Sequence, residues 1–259
     1  MMIIIQPSID PILISLGFLD IRWYSLSYIF TFIFGSILIK KLNKKSLNNL
    51  SDIQIDKFFV WAVLGVIIGG RVGYVLFYQL QLFFLDPLYI FQIWKGGMSF
   101  HGGLIGMIFA IYIFSKQNNL SFFYLSDLVS IVAPIGLFLG RISNFINTEL
   151  YGRVTDFPFA FIYPLIDNNP RHPSQLYEAF FEGAVLFIIL YLIFVKNSKK
   201  YTAGIISAYF LILYSIFRFL IEFLREPDSH LGLFLNYFSM GQILCIPILF
   251  AGILILFRR

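Results

Sequence analysis

The chain has 259 residues, of which 59% are hydrophobic and 13% charged, and its mean hydropathy is +0.82. Such a composition excludes an ordinary water-soluble domain and indicates an all-α integral membrane protein. The net charge of +5 does not indicate nucleic-acid binding, because the lysines fall in short clusters between apolar runs, where they act as a topology signal. A single cysteine, Cys245, lies inside an apolar segment, which rules out a disulfide framework and makes packing its simplest role.

Residues 1–20 lack the basic start and small-residue cleavage site of a signal peptide. Interrupted by Pro7, Asp10, Pro11 and Asp20, they read as a segment lying on the membrane surface. Seven stretches then reach the roughly twenty apolar residues that a spanning helix needs: 23–41, 58–80, 99–116, 122–142, 178–196, 203–224 and 238–257. The clear polar linker is 42–57, with Ser46, Asn48, Asn49, Ser51 and Asp52; no internal repeat interrupts the chain, which is expected to form one membrane domain over 1–259. The first stretch ends in Lys40, Lys41, Lys44 and Lys45, the third at Lys116, the fifth in Lys196, Lys199 and Lys200, and the seventh in Arg258 and Arg259. Seven alternating helices put these four ends on one side, the cytoplasm. The N-terminus and loops 81–98, 143–177 and 225–237 are then outside, and loop 143–177, with Pro158, Pro164, Pro170 and Pro173, is long enough for a small extracytoplasmic cap. The outer side and the membrane interior instead carry Arg22, Arg71, Arg141, Arg153, Arg171, Arg218 and Arg225, with Lys95 the exception. The topology rule counts both residues alike, so the split calls for chemistry: arginine grips phosphate or carboxylate with a planar fork, lysine only as a point charge.

Five polar constellations stand out. In Gly69-Gly70-Arg71-Val72-Gly73 the glycines suit close helix packing, and Arg71 reads as a snorkelling helix-end residue or a ligand. Gly96-Gly97-Met98-Ser99-Phe100-His101-Gly102-Gly103 sets a proton-exchanging side chain among flexible glycines, and reads equally as structural or as a general base. The run Gly140 to Gly152 holds Arg141, Asn144, Asn147, Thr148 and Glu149, and a helix continuing past Arg141 would line up Asn144 and Thr148 on its face. Arg171-His172-Pro173-Ser174-Gln175-Leu176-Tyr177-Glu178 is dense in polar groups, with Ser174 a plausible N-cap and Tyr177 or Glu178 a first-turn residue. Farther on, Arg218 and Glu222 are four apart and neighbours on one face, with Tyr214 before them and Arg225 after. A self-neutralising pair is the alternative there. His101 and His172 have no partner at zinc-ligand spacing, no serine sits in a nucleophile elbow, and no phosphate-binding glycine loop with a following lysine exists.

These motifs resemble, in order and across essentially the whole chain, the prolipoprotein diacylglyceryl transferases of bacterial inner membranes. The resemblance is carried by Arg22-Trp23-Tyr24, Gly69 to Tyr74, His101-Gly102-Gly103-Leu104-Ile105-Gly106, the run Gly140 to Gly152, Arg171 to Glu178, Arg218 to Glu222, and Arg225-Glu226-Pro227-Asp228. Ser143, Thr148 and Tyr151 depart from the signature, and Asp167 to Pro170 is short. The resemblance implies transfer of the diacylglyceryl group of phosphatidylglycerol to the lipobox cysteine of a prolipoprotein, without cofactor or metal and as the first step of lipoprotein maturation. It also implies a multi-pass protein of the inner membrane with its active site toward the outer leaflet. Under it, Arg141 and Arg218 bind phosphate, Glu222 positions Arg218, and His101 is the candidate general base. Asn144 and Glu149 serve the head group or orient Arg141, and Tyr24, Tyr214 and Gly152 complete the lipid site. The rival classes are an anion transporter, which broken helices and an inverted repeat would favour, and a non-catalytic lipid-presenting scaffold.

Overall fold

The computed structural model describes residues 4–17, 20–44, 50–197, 202–227 and 237–259. Lys45, Ser46, Asn48 and Asn49 of the linker, Lys199, Lys200 and Asp228 lie outside the described residues. In chain order the elements are strands β1 (Ile4–Ile5), β2 (Ile12–Ser15) and β3 (Asp20–Arg22), and helices α1 (Trp23–Asn43), α2 (Asp52–Tyr78), α3 (Leu80–Leu85), α4 (Phe100–Gln117) and α5 (Phe122–Ile146). Strands β4 (Phe161–Ile162) and β5 (Pro170–Arg171) follow, then α6 (Ser174–Glu178), α7 (Leu186–Asn197), α8 (Ile205–Ile221) and α9 (Met240–Phe257). Two 3-10 turns, Pro87–Phe91 and Ile93–Lys95, precede α4, and a π-helical segment, Ala179–Val185, joins α6 to α7 into one continuous helix.

The fold is all-α and multi-pass, as the apolar stretches predict: each of the seven coincides with a helix. Five helices, Trp23–Asn43, Asp52–Tyr78, Phe122–Ile146, Ser174–Lys196 and Met240–Phe257, are long and apolar enough to cross a membrane, and Ile205–Ile221 is a shorter apolar helix. Before α1 the chain forms short strands, with β1 pairing in parallel with β4, itself antiparallel to β5, and β2 pairing antiparallel with β3.

The chain forms two compact units, Met1–Leu47 with Asp127–Arg259, and Asn48–Ser126. In the second, α2 and α4 meet along a glycine seam. A Cβ on Gly65 would sit 2.6 Å from the Gly106 carbonyl oxygen, and one on Gly73 would sit 2.8 Å from the Gly102 Cα, so only glycine permits this approach. Ser51 starts α2 with a reciprocal capping box, accepting from the Gln54 amide at 3.2 Å while the Gln54 side chain accepts from the Ser51 amide at 2.9 Å.

In the first unit, Ser27 of α1 meets Ser143 of α5 at 2.6 Å. The apolar core gathers Leu42, Ile131, Leu186, Leu190, Phe194 and Ile206. Asp127, wholly buried on α5, accepts from the Gly204 and Ser207 amides, each at 2.7 Å, and so satisfies orphan donors at the start of α8. The π-helical segment lies close against α5, because Gly183 leaves no room for a Cβ, which would fall 2.8 Å from the Phe138 Cα. Phe138 stands one turn before Arg141. That approach places the carboxylates of the π-helical region beside the arginine.

Candidate active site

Five charged side chains from three segments of the first unit meet around Glu178. Its Oε2 lies 2.7 Å from Arg141 Nε and its Oε1 2.6 Å from Arg218 Nη1, so one carboxylate bridges two guanidinium groups. Arg218 Nη2 is 2.5 Å from Glu222 Oε2, which makes the pair at four-residue spacing a real contact, and Arg225 Nη1 stands 3.9 Å from Glu178 Oε1. Glu182, one helical turn beyond Glu178, lies 3.6 Å from Arg141 Nη2 and 3.8 Å from Arg218 Nη1. Both glutamates are 0% exposed, whereas the Arg141 side chain keeps 16% of its surface and is the most accessible of the five. Burial of this kind is tolerated only because each charge faces an opposite one.

Arg141 is held on its other side by the polar run. Its Nη1 donates to Asn144 Oδ1 at 3.4 Å, Asn144 Nδ2 donates to Glu149 Oε2 at 3.1 Å, and Asn147 Nδ2 reaches Glu149 Oε1 at 3.4 Å. Asn144 thus shares the face of Arg141, as its spacing predicts. Thr148 does not, because α5 ends at Ile146 and Thr148 takes a left-handed φ of 59°; its hydroxyl donates to Gln6 Oε1 at 3.1 Å. Gln6 in turn donates to the Phe145 carbonyl at 2.5 Å and pins the end of α5, a role nothing in its local sequence announces.

Gly152 sits where three stretches of backbone cross. Its amide donates to the His172 carbonyl at 3.0 Å, its carbonyl accepts from Arg171 Nη1 at 3.1 Å, and a Cβ there would lie 2.8 Å from the Leu224 carbonyl oxygen. Around it, Arg171 pairs with Asp167 at 2.6 Å and with Glu226 at 3.3 Å, and the guanidinium holds the Asp167 carboxyl down at about 2. Burial lowers the His172 pKa, so its ring, 3.4 Å from the Tyr177 hydroxyl, is disposed to stay neutral. Tyr214 stacks on Phe210 with centroids 5.8 Å apart, and Tyr24 meets Tyr28 edge-on at 5.4 Å.

His101 and Arg71 belong to the second unit. His101 is exposed in the first turn of α4, edge-on to Phe100 at 5.7 Å, with no hydrogen-bond or ion-pair partner among the described residues. Ser99 caps that turn by accepting from the Gly102 amide at 3.2 Å. Arg71 does not snorkel, and no carboxylate among the described residues pairs with it. It is buried and donates to the carbonyls of Tyr89 at 2.7 Å, Ile90 at 3.1 Å, Gly96 at 2.5 Å and Gly97 at 3.4 Å, and so ties down the segment before α4.

Sequence reasoning singled out Arg141, Arg218, Glu222 and Arg225 but gave Glu178 only a helix-starting role and passed over Glu182. The signal was there: two carboxylates four residues apart inside an apolar stretch are costly unless paired.

Helical spans that bury an arginine–glutamate cluster define a multi-pass membrane protein with a charged site set within its helices. The sequence profile of the prolipoprotein diacylglyceryl transferases matches residues 11–258. Phosphatidylglycerol–prolipoprotein diacylglyceryl transferase of Vibrio campbellii is 50% identical over 250 residues, 96% of this chain and 90% of that protein. Its counterpart in Aeromonas hydrophila is 50% identical over 248 residues, 96% and 89% of the two chains. That of Rickettsia bellii is 48% identical over 253, 97% and 96%. The chain belongs to the prolipoprotein diacylglyceryl transferase family.

Proposed function

We propose that the protein transfers the diacylglyceryl group of phosphatidylglycerol to the lipobox cysteine thiol of a prolipoprotein. The sulfur forms a C–S bond to the terminal glycerol carbon, the C–O bond to phosphate breaks, glycerol phosphate leaves, and a base takes the thiol proton. The observation that carries this reading is the buried pair of arginines joined through Glu178. Displacement at a primary carbon needs cations to hold the phosphodiester and the charge that grows on it as it leaves, and a low-dielectric site strengthens their effect. Arg141 and Arg218 supply those cations. Glu222 positions Arg218, while Asn144 and Glu149 form a relay that fixes Arg141 and meets the glycerol head group. Tyr24 and Tyr214 orient the lipid, and Gly152 keeps the backbone of the polar run close to it. His101, exposed and unengaged, takes the thiol proton, since the thiolate rather than the thiol is the nucleophile.

The protein resides in the bacterial inner membrane with its N-terminus outside, its C-terminus cytoplasmic and its site toward the outer leaflet, capped by residues 143–177 within one membrane domain. It uses no cofactor and binds no nucleic acid. Purified protein in detergent with phosphatidylglycerol and a lipobox peptide should add one diacylglyceryl mass to the peptide. Arg141→Ala should lose about 100- to 1000-fold in turnover, the ~3 to 4 kcal/mol of a lost transition-state contact. Near-normal turnover by a folded Arg141→Ala protein would remove Arg141 from the mechanism. No transfer by folded wild type that binds both substrates would leave the scaffold reading.

A further inference from the structure

Glu182 has no part in the reaction as proposed above, yet among the three carboxylates of the cluster it has no short ion pair. Glu178 makes short contacts of 2.7 and 2.6 Å to Arg141 and Arg218. Glu182 faces the same two residues at 3.6 and 3.8 Å, about an ångström farther than Glu178. A carboxylate that is 0% exposed and held only by such long ion pairs is poorly compensated where it stands.

The cluster's charges balance without substrate. Arg141 on α5, with Arg218 on α8 and Arg225 just beyond it, faces Glu178, Glu182 and Glu222, three cations against three anions. Tyr214 of α8 and Cys245 of α9 are the other titratable groups that bear on Glu182. A phosphodiester entering this site brings one negative charge, and the departing phosphate monoester carries between one and two. A site balanced in this way must surrender the contacts of one resident carboxylate to take up the phosphate. Glu178, Glu222 and their short ion pairs hold the arginines in place; Glu182 has the least to lose.

We propose that Glu182 is the yielding counter-anion of the phosphate site. It neutralises Arg141 and Arg218 in the empty enzyme, gives up those contacts to the lipid phosphate, and reclaims them as glycerol phosphate departs. Glu178, by contrast, is a positioning residue that keeps the two arginines at the right spacing. This inference rests on the transfer reaction proposed above.

The two glutamates should therefore respond in opposite directions. Glu182→Gln leaves a positive charge uncompensated, so KM for phosphatidylglycerol should fall and inhibition by added glycerol phosphate should strengthen, each by about tenfold, while kcat drops because product leaves slowly. Glu178→Gln should raise KM and weaken that inhibition. Glu182→Met offers a second neutral side chain with the same expected direction, and Glu182→Asp, which keeps the charge, should show neither the fall in KM nor the stronger inhibition by glycerol phosphate. Loss of activity with KM and glycerol phosphate inhibition unchanged in folded Glu182→Gln or Glu182→Met would overturn the proposal, as would a Glu182→Asp protein that behaves like Glu182→Gln. Wild type that transfers nothing from phosphatidylglycerol fails the transfer reading instead. In that case a thermal-shift titration with inorganic phosphate decides whether neutralising Glu182 tightens anion binding, and an unchanged titration overturns the proposal.

Discussion

Arg71 and Arg141 are hard to tell apart along the chain, since each follows a glycine inside an apolar helix. Their surroundings in space separate them. Arg141 faces two buried carboxylates and keeps part of its surface accessible, whereas Arg71 is sealed in and spends its donors on four backbone carbonyls. The partners of Arg71 come from residues 89–97 and the carboxylate partners of Arg141 from 178 and 182, far beyond any window that local pattern reading covers. The guanidinium fork is what lets Arg71 reach carbonyls on both sides of the 89–97 segment, and the Tyr89 ring lies 4.7 Å from its Cζ. Arg71→Lys keeps the charge but cannot span that spread. It should cost on the order of 3 kcal/mol through carbonyls left without donors, read as a lower unfolding temperature in detergent. An unfolding temperature equal to wild type would show that charge alone, and not the fork, holds the segment.

Helices were the most legible elements, because twenty apolar residues bounded by charges leave a membrane chain little choice. Each apolar stretch coincides with a helix, and the glycines of Gly69 to Gly73 suited close helix packing, whereas those flanking His101 pointed to backbone freedom rather than to the seam they form. The strands were not legible. β1 and β4 have two residues each, and their partners are separated by more than 150 positions, so no periodicity could reveal them. The π-helical segment was equally silent, since it arises from how Ala179–Val185 packs against α5 rather than from its residue types. Space around each glycine gives a test of the seam. Gly106→Ala drives a methyl group into the Gly65 backbone and should destabilise by about 1 to 3 kcal/mol through overpacking. Gly140→Ala meets nothing within 4 Å and should be neutral, or stabilising by up to ~1 kcal/mol from better helix propensity. Thermal unfolding of both variants side by side checks this, and equal losses would mean that the seam opens without cost.

Across the whole molecule, charge is sorted by kind as well as by sign. Lys40, Lys41, Lys44, Lys116 and Lys196 cluster at helix ends that share one side under seven crossings, and under the same count Arg22, Arg71, Arg141, Arg153, Arg171, Arg218 and Arg225 fall at the other side and in the interior. Parity carries the orientation: an odd number of crossings puts the two termini on opposite faces, an even number on the same face. The two helices that decide it are α4, which opens with His101-Gly102-Gly103, and α8, whose 17 residues span only ~26 Å at 1.5 Å per residue. α8 carries Arg218 and, with Glu222 at its end and Arg225 just beyond, half of the ion-pair cluster. If it stopped short of crossing, the site would sit at a membrane surface where water screens its charges, and the arginines would lose much of their hold on phosphate. The proposed function therefore requires α8 to cross the bilayer. Single cysteines introduced at positions 10, 44, 156 and 258 in a Cys245→Ser background, probed with a membrane-impermeant maleimide in intact cells, should label at 10 and 156 and stay silent at 44 and 258. Labelling at 258 would place both termini outside, leaving an even number of helices across the bilayer, so that one of α4 and α8 does not cross.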